Sequence, residues 1–586
     1  MKYSELVVVF DQLESTSKRL AKTHYIADLL KKTPTEDLPM IVYMLQGRLF
    51  PPTDERTLGV ADKTAKKAIE IATGLPEKRV VSEWKKLGDL GKVAEVLIKE
   101  KKQRTLLSHT LTVKKVFENL RKLVEITGGG SVDRKLKLVA ELLTSAKPAE
   151  AKYVIKTALE QLRFGVGEGV IRDAIVWAYF GKEIDLKYDE KKHDISYNDK
   201  YKSYVKAVES TYDLTNDYAA VAKTAKEKGL KGLEKTDITL GQPIRAMLAM
   251  KEDTIPDCFK RVGTPAAIEY KYDGFRMIIN KDGRDVKIFT RRLDNVTKQF
   301  PEVVKAIREH VSARQCILDA EAVGFDPKTK EYKPFQNISQ RIKRKYDIEM
   351  LAKKLPVELH IFDIVYHNGK NLLDAPFKKR RDILDKIVSN KKWSIQLAKQ
   401  IVTSDEKKAA EFYQEALDLG HEGVMFKSLD GAYQPGSRVG NMIKFKPIME
   451  PLDLVIVAAE WGTGKRSGWL TSYVLACRDP KSGKFMTVGK ASTGLKEKEE
   501  QGLSFKDLTK VLKSLIKAEH GRKVELHPQI VIEIAFSEIQ KSPTYESGYA
   551  LRFPRVVRIR EDRGPHECAT LADVKRMYDK QKKTGK

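Results

Sequence analysis

The chain has 586 residues and 41% hydrophobic content, more than one core usually supports, so about three or four domains are expected on a ~150-residue prior. Its 109 Lys and Arg against 81 Asp and Glu leave a formal charge of +28, which favours a polyanion such as nucleic acid over an acidic metabolite; a ribosomal or membrane-surface partner fits the same balance. Four scattered cysteines, Cys258, Cys316, Cys477 and Cys568, exclude a C-x-x-C metal pattern and argue against a disulfide scaffold, and no run approaches ~18 apolar residues, which excludes a spanning helix.

Residues 1–215 read as helices. MKYSELVVVFDQLEST has one short apolar run and no basic leader, so it reads as a helix and not a signal, while the sparse cysteines fit a reducing cytoplasm. Gln103, Leu106 and Leu107 in KKQRTLLSH form a Q-x-x-L-L pattern, readable as a helix start with two core leucines or as a docking box. In TVKKVFENLRKLVEITGGGS, Val113, Val116, Phe117, Leu120, Leu123 and Val124 recur at three and four, and Gly128 to Gly130 stop the helix. ALEQLRFGVGEGVIRDAIVWAYF breaks at Gly165, Gly167 and Gly169, either as a plain helix-to-helix turn or as one presenting backbone N–H groups to phosphate.

From 216 to 447 short strands alternate with helices, and KRVGTPAAIEYKYDGFRMIINKDGRDVKIFTRR reads as consecutive strands joined by Asp-Gly turns. From 448 to 586 the pattern is mostly strand. LDLVIVAAEW, SYVLACRD, KFMTVGK, PQIVIEIAF and RVVRIRE supply the five strands of a small oligonucleotide-binding barrel, followed by a basic tail, KRMYDKQKKTGK. The fold class is therefore multidomain α+β: a helical domain, a mixed α/β domain and a C-terminal β-barrel.

Chemistry concentrates in the middle segment. In IEYKYDGFRM, alternation buries Ile268, Tyr270 and Tyr272 and sets Glu269, Lys271 and Asp273 on the opposite face. A lysine attacks phosphorus only when unprotonated, and at its reference pKa roughly one in two thousand is free at pH 7. The two acids oppose deprotonation, so nearby cations or metal must outweigh them. Candidates are Arg276, Arg291, Lys444 and Lys446, the last two alternating onto one strand face. ILDAEAV with Asp319 and Glu321, and HEGVMFK with Glu422 and Lys427, carry carboxylates of the kind that bind Mg2+ alongside substrate phosphates, and Phe362 in LHIFDIVY offers a stacking face.

Taken together, E-x-K-x-D-G-x-R, T-R-R, D-x-E, F-D, E-G-x-M-x-K and K-x-K, in that order between residues 269 and 446, resemble the covalent nucleotidyltransferases and specifically the ATP-dependent DNA ligases. YKPFQNISQRIKRKYD around Phe335 and Gln336, AYQPGSRVG around Arg438, LGQPIRAMLA and the C-terminal SGYALRFPRVVRIREDR agree. The helical third is similar to the DNA-binding domain of archaeal and eukaryotic replicative ligases, so the resemblance implies a DNA-binding domain (1–215), a nucleotidyltransferase domain (216–447) and an OB-fold domain (448–586).

It implies further that Lys271 takes AMP from ATP covalently and that nicked duplex DNA is the substrate. Glu269 would read the adenine, Phe362 stack on it, Arg276 and Glu321 handle the ribose, Arg291 approach phosphate, Lys444 and Lys446 neutralise the α-phosphate, and Arg438 join the nucleotide site. Glu321 and Glu422 would bind Mg2+ or Mn2+. Arg560, Asp562 and Arg563 belong to the last motif, where the family commonly ends in Asp-Lys. Gln103, Leu106 and Leu107 would dock a sliding clamp. A monomer at the nucleoid of an archaeal cytoplasm is the implied setting. RNA ligases and capping guanylyltransferases share the lysine motif without the helical domain, NAD-dependent ligases bring a four-cysteine zinc site, and an architectural DNA-binding protein needs no Lys271 in this setting.

Overall fold

Amphipathic sequence decides the first third of the chain. The computed structural model describes residues 1–586 except 55, 102–109, 334–337, 339, 340, 343–346, 448, 463–465, 467, 498–501 and 584–586. Helices follow one another from Tyr3–Ser15 to Tyr218–Glu234, interrupted by a short hairpin at 187–196. The expected helix around Phe117 spans Val113–Lys122, with Thr112 capping it by accepting from the Lys115 amide at 3.1 Å. Val113, Val116, Phe117, Leu120 and Leu123 are all buried. The helix ends earlier than Gly128; Gly130, with φ of 68°, instead caps the start of Ser131–Ser145. The glycine turn opens the helix Glu168–Phe180, and Lys22 donates from beneath to the Phe164 carbonyl.

The next stretch runs through β1 (Ala266–Lys271), β2 (Phe275–Asp282), β3 (Asp285–Thr290), β4 (Gln315–Phe325) and β5 (Val357–His367). It continues with β6 (Gln400–Thr403), β7 (Gly423–Ser428) and β8 (Arg438–Phe445). By compactness the described residues divide into two units. One comprises Met1–Leu248, Gly274–Leu397 and Ala432–Val439; the other comprises Ala249–Asp273, Ala398–Gly431 and Gly440–Lys586. The first holds an antiparallel sheet ordered β5–β4–β2–β3, the second one ordered β6–β1–β7–β8.

This arrangement corrects one expectation. The second Asp-Gly, Asp282-Gly283, does close a hairpin, with Asp282 opposite Asp285 and Gly283 at φ of 57°. The first, Asp273-Gly274, does not: β1 pairs with β6 and β7, whereas β2 pairs with β3 and β4. Gly274 is required by close approach, since a Cβ there would stand 2.6 Å from the Ala322 carbonyl oxygen and 2.8 Å from Glu321 Cγ.

All five expected C-terminal strands form, as β9 (Leu452–Trp461), β10 (Leu470–Arg478), β11 (Phe485–Ala491), β14 (Val531–Ala535) and β17 (Arg555–Ile559). Between them lie a hairpin of β12 (Ile516–His520) and β13 (Lys523–Leu526), a second hairpin of β15 (Glu538–Lys541) and β16 (Tyr549–Arg552), and the helix Phe505–Lys513. The main sheet runs β11–β10–β9–β13–β12, with β14 pairing both β9 and β17. The hairpins escape sequence reading because their strands are short and charged; β12 is IKAEH, with no fully buried residue.

On β5, Glu358 is fully buried and accepts from the Tyr332 hydroxyl, the Trp393 amide and Gln396 Nε2, each at 2.5 Å. Burial acts to raise its carboxyl, but His360 and these donors outweigh it and hold the group down at about 2, against an ordinary 4.5. A depressed folded value means stability that is fully present above 4.5 and is lost as pH falls toward 2. Glu358→Gln is therefore expected to unfold more easily than the parent at pH 7, by roughly 3 kcal/mol. The gap should narrow below pH 4.5, as measured by urea unfolding followed by far-ultraviolet circular dichroism; a gap independent of pH would contradict this account.

Candidate active site

Lys271 ends β1, and its side chain is set by the strand beside it. The ladder places Lys271 opposite Gly423 and Glu269 opposite Met425, and the Glu422 amide donates to the Lys271 carbonyl at 2.8 Å. Gly423 sits at φ of 135°, where a Cβ would meet the Phe445 carbonyl oxygen at 2.4 Å, so only glycine lets these backbones close. Glu422 is thereby brought to Lys271, with Oε2 2.7 Å from its Nζ and 3.8 Å from that of Lys446. Burial acts to raise the Glu422 carboxyl, and Lys271, then Lys446 and Arg552, outweigh it and leave it below the ordinary carboxylate range. A carboxylate so held is a weak proton acceptor; its contribution is to place Nζ.

Glu269 does not lie on an exposed charged face as alternation suggested. Tyr270 and Tyr272 are buried as expected, but β1 is covered on both faces and Glu269 is only 2% exposed. It pairs with the buried Lys427 at 2.5 Å and accepts from Gln400 Nε2 at 2.8 Å, Gln400 standing opposite it on β6. Its acceptor oxygens are thus fixed in direction, as recognition of a flat amine-bearing ring requires.

The second group belongs to the other unit. Arg276 on β2 stands opposite Glu321 on β4, which stands opposite His360 on β5. Arg276 is gripped by Asp319 through Nε at 2.9 Å and Nη2 at 2.6 Å, and its Nη1 donates to the Met247 carbonyl at 2.7 Å. The Tyr433 hydroxyl donates to the same carboxylate at 2.6 Å. Phe362 lies 5.4 Å from the Arg276 guanidinium. Its placement comes from a register shift: Ala320 pairs with Ile361 and Asp319 with Asp363, leaving Phe362 as the extra residue of a bulge.

Asp319, with no exposed surface, is therefore the anchor of Arg276 and not a cation ligand, while Glu321 stays half-buried. Arg291 is exposed in the turn after β3, and Arg438 is exposed at the start of β8. Lys444 lies on β8 opposite Met425; the strand ends at Phe445, so Lys446 follows it and does not share its face by strand alternation. In the last motif, Arg560 makes a fork to Asp562 at 2.8 and 2.7 Å and pairs with Asp453 at 2.6 Å, and Arg563 reaches the same Asp453 at 2.9 Å. Gln103, Leu106, Leu107, Phe335 and Gln336 lie outside the described residues.

Among the described residues no three His, Cys, Asp or Glu gather as a metal cluster. Glu422, with its carboxyl held low, and, in the other unit, the half-buried Glu321 are each hard oxygen donors of the type that holds Mg2+ singly with phosphate oxygens completing the shell, so the donor chemistry of each fits. Sequence reading missed Gln400 and Tyr433 as contributors. Gln400 carries no motif, and Tyr433 sits in the quoted AYQPGSR but is joined to Arg276 only through Asp319.

Removing Asp319 strands a buried guanidinium and a buried hydroxyl. Asp319→Ala is expected to cost about 3–5 kcal/mol in urea unfolding; a loss below ~1 kcal/mol would show that Arg276 has another anchor.

The family model for the ATP dependent DNA ligase domain matches residues 246–446, that for the DNA ligase N terminus residues 2–176, and that for the ATP dependent DNA ligase C terminal region residues 466–563. The chain is 47% identical over 584 residues to a DNA ligase of Nanoarchaeum equitans, covering 99% of both. It is 42% identical over 583 residues to one of Thermococcus onnurineus, covering 100% of this chain and 99% of that one. A solved structure described as Pmar-Lig_PreS3 shares the fold, with a TM-score of 0.55 and 18% identity over 95% of this chain and 99% of its own. With family models and relatives spanning its whole length, the chain belongs to the ATP-dependent DNA ligases.

Proposed function

We propose that Lys271 is the residue through which this ligase takes AMP from ATP, and that the enzyme seals 3'-hydroxyl/5'-phosphate nicks in duplex DNA. The observation that carries this is the placement of Lys271 Nζ at the end of β1, 2.7 Å from Glu422 and beside Lys446. Before attack, the Lys271 ammonium that donates to Glu422 must give up one proton to solvent, which frees the nitrogen lone pair. Lys271 then attacks the α-phosphorus and pyrophosphate leaves; AMP passes to the 5'-phosphate of the nick; the 3'-hydroxyl attacks that phosphate and AMP departs. Each step is an in-line displacement, so the residues position groups and neutralise charge.

In this reading Glu269, held by Lys427 and Gln400, accepts from the adenine amine, and Phe362 stacks on the ring. Arg276 and Glu321 address the ribose, Lys444 and Lys446 the α-phosphate, Arg291 a phosphate, and Arg438 the same nucleotide. Glu422 and Glu321 are the residues that would hold Mg2+ or Mn2+, a cation that shields phosphate charge when bound. Arg563, where the family commonly has lysine, keeps a positive charge beside Arg560 and Asp562, tied to Asp453. We assign residues 1–215 to DNA binding, 216–447 to nucleotidyl transfer and 448–586 to the OB-fold. A monomer in an archaeal cytoplasm, recruited by a sliding clamp through Gln103, Leu106 and Leu107, is the setting proposed.

Incubation with ATP labelled at the α-phosphate should give an acid-labile, pyrophosphate-reversible adduct that maps to Lys271 and vanishes in Lys271→Ala. Labelling by GTP alone would favour a capping-type activity, and unchanged labelling of the variant would exclude Lys271. Lys446→Ala should retain the fold and slow self-adenylation by about 100-fold or more, the scale of losing one preorganised charge at a developing phosphate. With a net charge of +28, affinity for nicked duplex should fall steeply between 50 and 200 mM salt, roughly 1,000-fold or more if several phosphates are contacted; a flat salt response would remove the backbone-binding role of the helical domain.

A further inference from the structure

The linker Arg245–Leu248 touches both the helical region and the Arg276 cluster. At one end Arg245 donates to Glu168 through both terminal nitrogens, at 3.0 and 2.9 Å, with its guanidinium 5.1 Å from the Tyr212 ring centroid. The Tyr212 hydroxyl donates to the same carboxylate at 3.0 Å. Glu168 is the first residue of the helix Glu168–Phe180, immediately after the glycine turn. Two residues along the linker, the Met247 carbonyl accepts from Arg276 at 2.7 Å and its amide donates to the Tyr433 hydroxyl at 3.1 Å. That hydroxyl donates to Asp319, which grips Arg276 from the other side.

The loop behind the linker leaves it little room. The Leu248 amide donates to the Ser437 carbonyl at 2.9 Å. Gly436 has φ of 68°, and a Cβ there would stand 2.8 Å from Asp213 Oδ1 and 3.2 Å from Arg245 Cδ. A shift of Arg245 toward or away from Glu168 is therefore passed to Met247 through a short, packed backbone and not absorbed by slack.

We propose that Arg245–Leu248 couples the first turn of the helix Glu168–Phe180 to Arg276, with Tyr433 as the positioning residue at the Arg276 end. This rests on the reading of Arg276 as part of the nucleotide site. A change at Glu168, such as an arriving DNA phosphate competing for Arg245, then alters how firmly Arg276 is presented to ATP. In self-adenylation Glu168 and Arg245 touch neither ATP nor Lys271; they act through Met247.

The test uses the full chain and single-turnover self-adenylation without DNA, in which the labelling rate against ATP concentration gives a half-saturating concentration, written KM, and a limiting rate, written kcat, for the parent, Tyr433→Phe, Glu168→Gln, Arg245→Gln and the double variant Glu168→Gln/Tyr433→Phe. Tyr433→Phe should raise KM about tenfold, the scale of one lost hydrogen bond to a charged group, with little change in kcat. Glu168→Gln and Arg245→Gln should each raise KM several-fold, and the double variant should show less than the product of the single effects. Unchanged KM in Glu168→Gln, strictly multiplicative effects, or a lowered melting temperature in Tyr433→Phe without a KM change would each overturn the coupling. If the parent itself takes no label at Lys271, the functional reading fails instead.

Discussion

A carboxylate removed from water must be met by donors, and the ones it recruits become fixed in space. Asp319 shows what this does for the enzyme. Fully buried, it takes two hydrogen bonds from Arg276 and one from Tyr433, so a long, entropically free side chain is reduced to one orientation. Glu269 is held by the same device, with Lys427 and Gln400 directing its oxygens. Buried pairs like these add little net stability, but they hold each charge in one orientation.

The backbone makes these placements possible through two glycines. Gly274 allows β2 to lie against Ala322 and Glu321 of β4, and Gly423 allows β7 to approach Phe445. A side chain at either position would separate strands whose register brings Arg276 opposite Glu321 and Lys271 opposite Gly423, next to Glu422. The Asp-Gly after Lys271 is thus less a turn than the point where the chain leaves one sheet for another. That one dipeptide puts Lys271 and Arg276 on two different sheets while keeping them five residues apart in the chain.

Lys271 and Glu422 form an ion pair that fixes where Nζ stands at the end of β1. Lys446 lies near the same carboxylate, at 3.8 Å. The last motif is tied back in a comparable way, with Arg560 and Arg563 sharing Asp453 at the start of β9.

The sequence by itself determined the helical first third, because a 3.6-residue period in segments such as Val113–Leu123 is a local property that burial only ratifies. It determined the five principal C-terminal strands through short apolar runs between turn residues, and the order of motifs from Glu269 to Lys446 carried the resemblance to the DNA ligases. Tertiary structure alone decided the partners. Which acid faces Lys271 depends on a strand 150 residues later, so local spacing pointed to Glu269 and Asp273 where the ladder supplies Glu422. Phe362 owes its position to a bulge, Asp319 its anchoring role to complete burial, and Tyr433 its place to a contact 114 residues away in sequence. Register, burial and long-range hydrogen bonds are properties of assembled sheets, and periodicity within one segment does not encode them.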